Sequence, residues 1–377
     1  MPVRIVIVGG PFYPYPPAPC GAVERVWHGM AMEFARAGHT VTIICRWHPS
    51  QPAQEMIAGV QCIRHMQFSR TGNIKWDLLQ DLIYSLRVLR TLPVADVAIP
   101  HSFWLPWLLP RLRHRAGNVV AHVQRFPKGQ IGLYLRTASI TTVSQTIADA
   151  IVQQCPRASR LVRVIPNPIH TDVFLPPARP RAYGPNGTIL YTGRVHPEKG
   201  VDLLVQAVTI LRQEFPGLHL RIVGPTRVEQ GGGGDSYLDR LRGLAGDYPI
   251  DFVPPVSDVA VLADVLRDAD FYCYPSIAER GEASPVAPLE AMATGLAPVV
   301  SSLGQFRGYL VEGRNGLAFD QRGPDAIEAL ADQLRSLIVD PDRARMLGMA
   351  AVQTAQQFSY RRIAGLYLDL FTQLLEK

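Results

Sequence analysis

The 377-residue sequence predicts an α/β protein of two doubly wound domains that face each other across a cleft. Three observations carry this. Short Val/Ile-rich runs alternate with helical patterns through both halves, as in parallel sheets covered on both faces. Proline and glycine concentrate at 176–187, which reads as an interdomain linker. The length suits two domains of ordinary size.

In the first half the runs Val3–Val8, Val41–Cys45, Val94–Ile99, Val119–Val123, Ser139–Val143 and Val162–Ile165 read as strands. In the second, Thr188–Tyr191, Leu218–Val223, Ile250–Val253, Phe271–Tyr274 and Ala297–Val300 do so. Helical patterns fall at Glu24–Ala37, Leu78–Thr91, Gln145–Gln154, Val201–Phe215, Ala260–Asp268 and Pro288–Thr294. The domains are therefore placed at 1–176 and 177–357. The run Gly231–Gly234 reads as a flexible loop without chemistry. In such sheets ligands collect beyond the carboxyl ends of the strands, so the site is expected in the cleft between the domains.

Composition excludes several classes. With 47% hydrophobic and 19% charged residues the chain is neither disordered nor fibrous. Its five Cys (Cys20, Cys45, Cys62, Cys155, Cys273) form no C-x-x-C pair, so neither a disulfide scaffold nor a structural zinc site is expected. No apolar run approaches 18 residues, and the short run Ile5–Val8 reads as a buried strand, not a signal peptide. A cytoplasmic protein is expected. The net charge of +6 is uneven. Residues 1–176 hold 18 Lys and Arg against 8 Asp and Glu; residues 177–377 hold 20 against 24. A basic first half suggests an anionic partner.

Two motifs carry chemistry. In Tyr191-Thr192-Gly193-Arg194-Val195-His196-Pro197-Glu198-Lys199-Gly200, a strand ends, Gly193 turns the chain, and two cations follow before a helix. Arg and Lys on such a loop suit a diphosphate. In Glu282-Ala283-Ser284-Pro285-Val286-Ala287-Pro288-Leu289-Glu290, two carboxylates lie eight positions apart. Glu282 falls in a loop, and Glu290 one turn into a helix starting near Val286. Free amides at that helix start suit a phosphate or sugar hydroxyl, and the later carboxylate suits ribose.

Together these residues resemble glycosyltransferase family 4, retaining enzymes with the GT-B fold of two Rossmann-like domains. The resemblance runs through Gly21-Ala22-Val23-Glu24-Arg25, Val164-Ile165-Pro166-Asn167-Pro168, Ile222-Val223-Gly224, Tyr274-Pro275-Ser276 and Gly313-Arg314-Asn315-Gly316-Leu317. It ends on a closing helix near 358–377 that returns to the first domain. The family implies a nucleoside-diphosphate sugar, UDP- or GDP-linked, as donor in the second domain and an acceptor on the first. Arg194 and Lys199 would hold the diphosphate, and Glu290 the ribose. Glu282 would contact the sugar, and amides near Ala283, Val286 and Ala287 would assist. Gly193 would turn the loop, and the loop around Gly21 would approach the diphosphate from the first domain. No metal or other cofactor is expected, and no nucleic acid. Catalytic roles fall to Glu282, His101, Arg194 and Lys199. His101, ending a first-domain strand, would orient the sugar or polarise a hydroxyl; the alternative is a histidine packed beside Trp104 and Trp107. His122 is a weaker acceptor-side candidate.

The chain departs from the family at Cys20, where a second glycine is usual, and at Ser284-Pro285, where a Phe-Gly or Ser-Gly pair is usual. Pro285 has no N–H to donate. Asp268-Ala269-Asp270 matches an Asp-x-Asp metal signature but sits at a helix-to-strand junction, so no metal role is assigned. The segment Phe103–Arg115 joins apolar and basic residues. It could meet a membrane bearing a lipid-linked acceptor, peripherally at its inner face, or could simply be core. The acceptor expected is a glycan or lipid-linked glycan in cell-surface or exopolysaccharide synthesis. Rival readings are a nucleotide-sugar epimerase, a phosphorylase, or a non-catalytic glycan- or nucleic-acid-binding protein.

Overall fold

A computed structural model describes residues 2–15, 21–66 and 68–376. The chain forms two compact units, residues 1–168 with 360–377 and residues 169–359.

The strands of the first unit are β1 (Arg4–Val8), β2 (Thr40–Arg46), β3 (Gln54–Ile57), β4 (Val60–His65), β5 (Val97–Pro100), β6 (Asn118–Val123), β7 (Ser139–Thr142) and β8 (Val162–Val164). They form one sheet in the order β3-β4-β2-β1-β5-β6-β7-β8, parallel except for β3. β1, β5 and β7 are buried almost throughout, which is why they read as continuous apolar runs. The hairpin β3–β4 was not predicted. Its two-residue turn is Ala58-Gly59, both at positive φ. That geometry closes a tight hairpin, but Ala-Gly lacks the usual Asn-Gly signal.

The helices Ala22–Arg36 and Tyr360–Leu375 pack on one sheet face, sharing a core with Trp27, Phe34, Tyr367 and Phe371. Gly29 lets them approach, since a side chain there would strike the Tyr360 ring. On the other face Tyr84 and Val88 of the helix Ile74–Thr91 pack with Leu105 and Leu109. Leu105 and Leu109 are wholly buried, so these two residues of 103–115 are core, while Phe103, Trp104, Trp107 and Leu108 are half-buried.

The second unit holds β9 (Thr188–Thr192), β10 (His219–Val223), β11 (Asp251–Val253), β12 (Phe271–Tyr274), β13 (Pro298–Ser301) and β14 (Leu317–Phe319). Their order is β11-β10-β9-β12-β13-β14, all parallel. The strand order reverses between β9 and β12, which places a switch point there. β14, only three residues long, was not predicted, nor were the helices Gly234–Ala245, Ala326–Ile338 and Pro341–Ala355.

The expected boundary at 176 is corrected. Ile169 and Phe174 belong to the second unit's core, and the Ile169 N–H donates to the Phe358 carbonyl at 2.8 Å. The Pro/Gly-rich stretch is not a free linker. Its Arg181 is largely buried, and the guanidinium donates to the carbonyls of Ala269, Thr294 and Leu266. No helix among the described residues is long and apolar enough to cross a membrane.

Candidate functional site

Two loops leave the second sheet at its switch point, one after β9 and one after β12. A β-carbon on Gly200, which has φ +62°, would strike the Pro275 carbonyl, so the loops cross in contact there. The Ile277 N–H donates to the Glu198 carbonyl at 3.0 Å, fastening them together. Gly224 does the same on the other side: a side chain would collide with the Gly193 carbonyl. Gly193 itself lies against Tyr191 and Tyr274, whose rings stack with centroids 5.7 Å apart.

This crossing brings Lys199 onto Glu282. Both are about 95% buried, and Lys199 Nζ pairs with Glu282 Oε1. The same oxygen accepts from the Tyr274 hydroxyl at 2.9 Å. Neither bond engages Oε2. Gln305 Nε2 donates to the backbone carbonyls of Glu279 (2.7 Å) and Glu282 (3.1 Å), and the Tyr309 hydroxyl donates to Pro285 O at 3.0 Å. These bonds fix the loop whose Pro285 lacks an N–H.

Arg194 pairs with Glu198, four residues on, and donates to the Gly231 carbonyl at 2.9 Å. The glycine run thus supports the Arg194 guanidinium through a backbone carbonyl. A side chain on Gly231 would press on Arg194, and the Gly233 N–H donates to Val195 O at 2.8 Å. Each cation of the motif therefore comes with its own carboxylate, and each keeps N–H groups beyond that pair.

The helix carrying Glu290 runs Ala287–Ala293, only two turns, with Pro288 near its start removing a further N–H. Glu290 is its fourth residue, half-buried. Ala283, Val286 and Ala287 are half-buried, the latter two partly packed on the core. Asp270 accepts from the Thr188 N–H at 2.8 Å and so ties the start of β9.

In the first unit His101 follows β5, with its N–H bonded to Val8 O at 2.8 Å, at the β1/β5 switch point. Its ring packs on Trp27 (4.6 Å) and His122 (5.4 Å), not on Trp104 or Trp107. Nδ1 lies 3.1 Å from the Tyr15 hydroxyl. Nε2 is buried without a partner among the described residues. Burial, then the neighbouring His122, holds His101 well below the usual histidine pKa. His122 is pushed down to about 4 by burial; its ring nitrogens lie near Thr141 Oγ1 (3.2 Å) and Gln124 Oε1 (3.1 Å). Both are neutral near pH 7. Gly21 caps the helix Ala22–Arg36, and a side chain there would strike Glu24. Glu24 is buried, which raises its pKa, while Arg125 and Arg70 oppose the shift. Cys20 lies outside the described residues; the other four cysteines are free.

Sequence reasoning left Glu198, Tyr274 and Gly231 without roles. The i, i+4 spacing of Arg194 and Glu198 was the available signal.

Fold and site define a GT-B protein, two Rossmann-like units with a charged switch-point site in the second. The chain belongs to glycosyltransferase family 4. The model for Glycosyltransferase Family 4 matches residues 23–173, and that for Glycosyl transferases group 1 matches 177–354. Phosphatidyl-myo-inositol mannosyltransferase of Mycobacterium tuberculosis is 36% identical over 50% of this chain and 49% of its own length. A D-inositol 3-phosphate glycosyltransferase of Pseudarthrobacter chlorophenolicus is 25% identical over 92% of this chain and 89% of its own. The matched region spans about half the length of the mycobacterial relative. Among solved structures, sucrose-phosphate synthase of Thermosynechococcus elongatus superposes with a TM-score of 0.77 at 20% identity, over 99% of each chain. An Anabaena protein solved with UDP and glucose does so at 0.73 and 16%, over 98% of this chain and 99% of its own.

Proposed function

We propose that the protein moves a glycosyl group from a nucleoside-diphosphate sugar, UDP- or GDP-linked, to an acceptor hydroxyl, with retention and without a metal. The buried Lys199–Glu282 pair at the β9/β12 switch point carries this reading. A buried charge pair is seldom a stability device, because desolvation offsets its attraction. Its residues fit a reaction in which positive charge develops on a sugar and negative charge on a departing diphosphate.

In this reading Arg194 and Lys199 stabilise the leaving diphosphate, using N–H groups left over from their carboxylate partners. Glu282 holds the Lys199 ammonium and offers Oε2 to the sugar, positioning it without acting as a base. Glu290 accepts from the ribose hydroxyls. The diphosphate takes the acceptor proton as the acceptor attacks the same face that it leaves, which retains the anomeric configuration. His101, neutral, presents Nε2 to a hydroxyl. The acceptor is a glycan or lipid-linked glycan in cell-surface or exopolysaccharide assembly, bound by the first unit.

Thermal unfolding with UDP, GDP and ADP tests the donor site. A ligand at about 100 times its dissociation constant adds roughly 2.7 kcal/mol. The expected result is a selective shift with one diphosphate, lost in Arg194→Ala. No shift with any of them would overturn the assignment.

A further inference from the structure

We propose that the outward face of the helix Ile74–Thr91 is a docking surface for an anionic lipid bilayer. The helix buries Asp81, Tyr84, Ser85 and Val88 against the first unit. Its other face is also apolar: Trp76, Leu79, Ile83 and Leu86 are 40–59% exposed. At 3.6 residues per turn these four fall within an arc of about 80°. Lys75 and Arg87 lie at its margins and Arg90 within it, all exposed. Neither acid of the helix shares that arc. Asp77 accepts from the Thr71 backbone N–H and hydroxyl, both at 2.9 Å, and Asp81 is buried, facing the N–H groups of Phe103 and Trp104.

A surface helix normally presents water with a polar face, so a contiguous apolar stripe marks a partner. The interleaved cations decide which. Two copies packing stripe to stripe would bring Lys75, Arg87 and Arg90 together with no acid to meet them. A bilayer takes the apolar side chains below its headgroups, and its anionic lipids take the cations. The basic margin extends beyond the helix. Trp104 Nε1 donates to Leu78 O at 2.9 Å, Trp107 packs on Trp104 at 6.1 Å, and the Arg111 guanidinium lies 4.3 Å over Trp107. The segment 103–115 thus supplies a basic rim, while the apolar insertion comes from the helix. This inference stands apart from the proposed glycosyl transfer.

The test is co-sedimentation of the full chain with vesicles of about three parts phosphatidylcholine to one of phosphatidylglycerol, and of phosphatidylcholine alone, at low and high salt. Binding to the anionic vesicles at low salt is expected, weakening with salt. Each cation near such a surface is worth about five-fold in partitioning, so removing Arg87 and Arg90 together, as Arg87→Gln/Arg90→Gln, should cut it about 25-fold. Leu79→Ser/Ile83→Ser should cut it by at least about ten-fold. All four positions are exposed, so melting and its shift by nucleoside diphosphate should be unchanged in both variants. Wild-type protein left in the supernatant, or both variants binding like wild type, would overturn the proposal. So would a dimer dispersed by Leu79→Ser/Ile83→Ser without vesicle binding, which would assign the face to a second copy.

Discussion

Lys199 and Glu282 stand 83 positions apart, on loops from neighbouring strands, and their side chains meet as a buried ion pair. The Tyr274 hydroxyl joins them on the same carboxylate oxygen. Two glycines without room for a side chain, Gly200 and Gly224, set the loop that makes this meeting possible.

Removing one partner from such a pair strands the other. Lys199→Ala should cost about 3–5 kcal/mol of stability by leaving Glu282 buried and unpaired. Glu282→Gln removes the charge but keeps an oxygen acceptor for both Tyr274 and the Lys199 ammonium, so it should cost less stability than Lys199→Ala while still lowering turnover. Lys199→Met combined with Glu282→Gln should recover much of the Lys199→Ala loss. Urea unfolding of these variants checks the coupling; a Lys199→Ala chain as stable as wild type would show that the pair is not held as described.

Arg194 should behave differently. Its pair with Glu198 is part-exposed, and such pairs contribute about 0–1 kcal/mol. Arg194→Ala should leave the melting temperature nearly unchanged while turnover falls about 10²–10³-fold, the effect of deleting one preorganised donor. Steady-state kinetics beside a melting curve separates the two; unchanged turnover would overturn the proposal that Arg194 holds a diphosphate.

Gly200→Ala should be costly although it adds one carbon. The left-handed backbone and the Pro275 carbonyl both oppose it, for a loss of about 2 kcal/mol or more. The melting shift produced by a nucleoside diphosphate should shrink with it, because the two loops can no longer cross. A stable variant with an unaltered ligand shift would show the crossing to be dispensable.

The first unit should weaken in acid. His122 titrates near 4 when folded and near 6.5 when unfolded, so the unfolded chain binds more protons between those values. Its contribution is complete above about pH 6.5 and is lost as pH falls toward 4, reaching about 2 kcal/mol of loss at pH 5. His101, lowered in the same direction, adds to it. Denaturant unfolding at pH 7.5 and 5 checks this, and His122→Gln should flatten the difference.

Much of the fold was legible because parallel strands buried on both faces must be continuous apolar runs. β12 matches its expected range, and β1, β5 and β9 fall within two or three residues of theirs. The hairpin β3–β4 and the three-residue β14 were not legible. Their residues alternate or are too few, and pairing with a neighbouring strand is what makes them strands. For the segment 103–115 the sequence leaves a membrane-facing surface and core packing both open; Leu105 and Leu109 are core, and the exposed apolar stripe lies instead on the helix Ile74–Thr91.

By itself the sequence determined the two α/β halves, the family resemblance and the spacing of Arg194, Lys199, Glu282 and Glu290. Only the tertiary structure decided that Lys199 faces Glu282, that Arg194 rests on the glycine run, and that His101 packs on Trp27. Local spacing sets how residues lie along one element. Which loops cross is set by strand order and by where backbones can touch, and both depend on residues far apart in the chain.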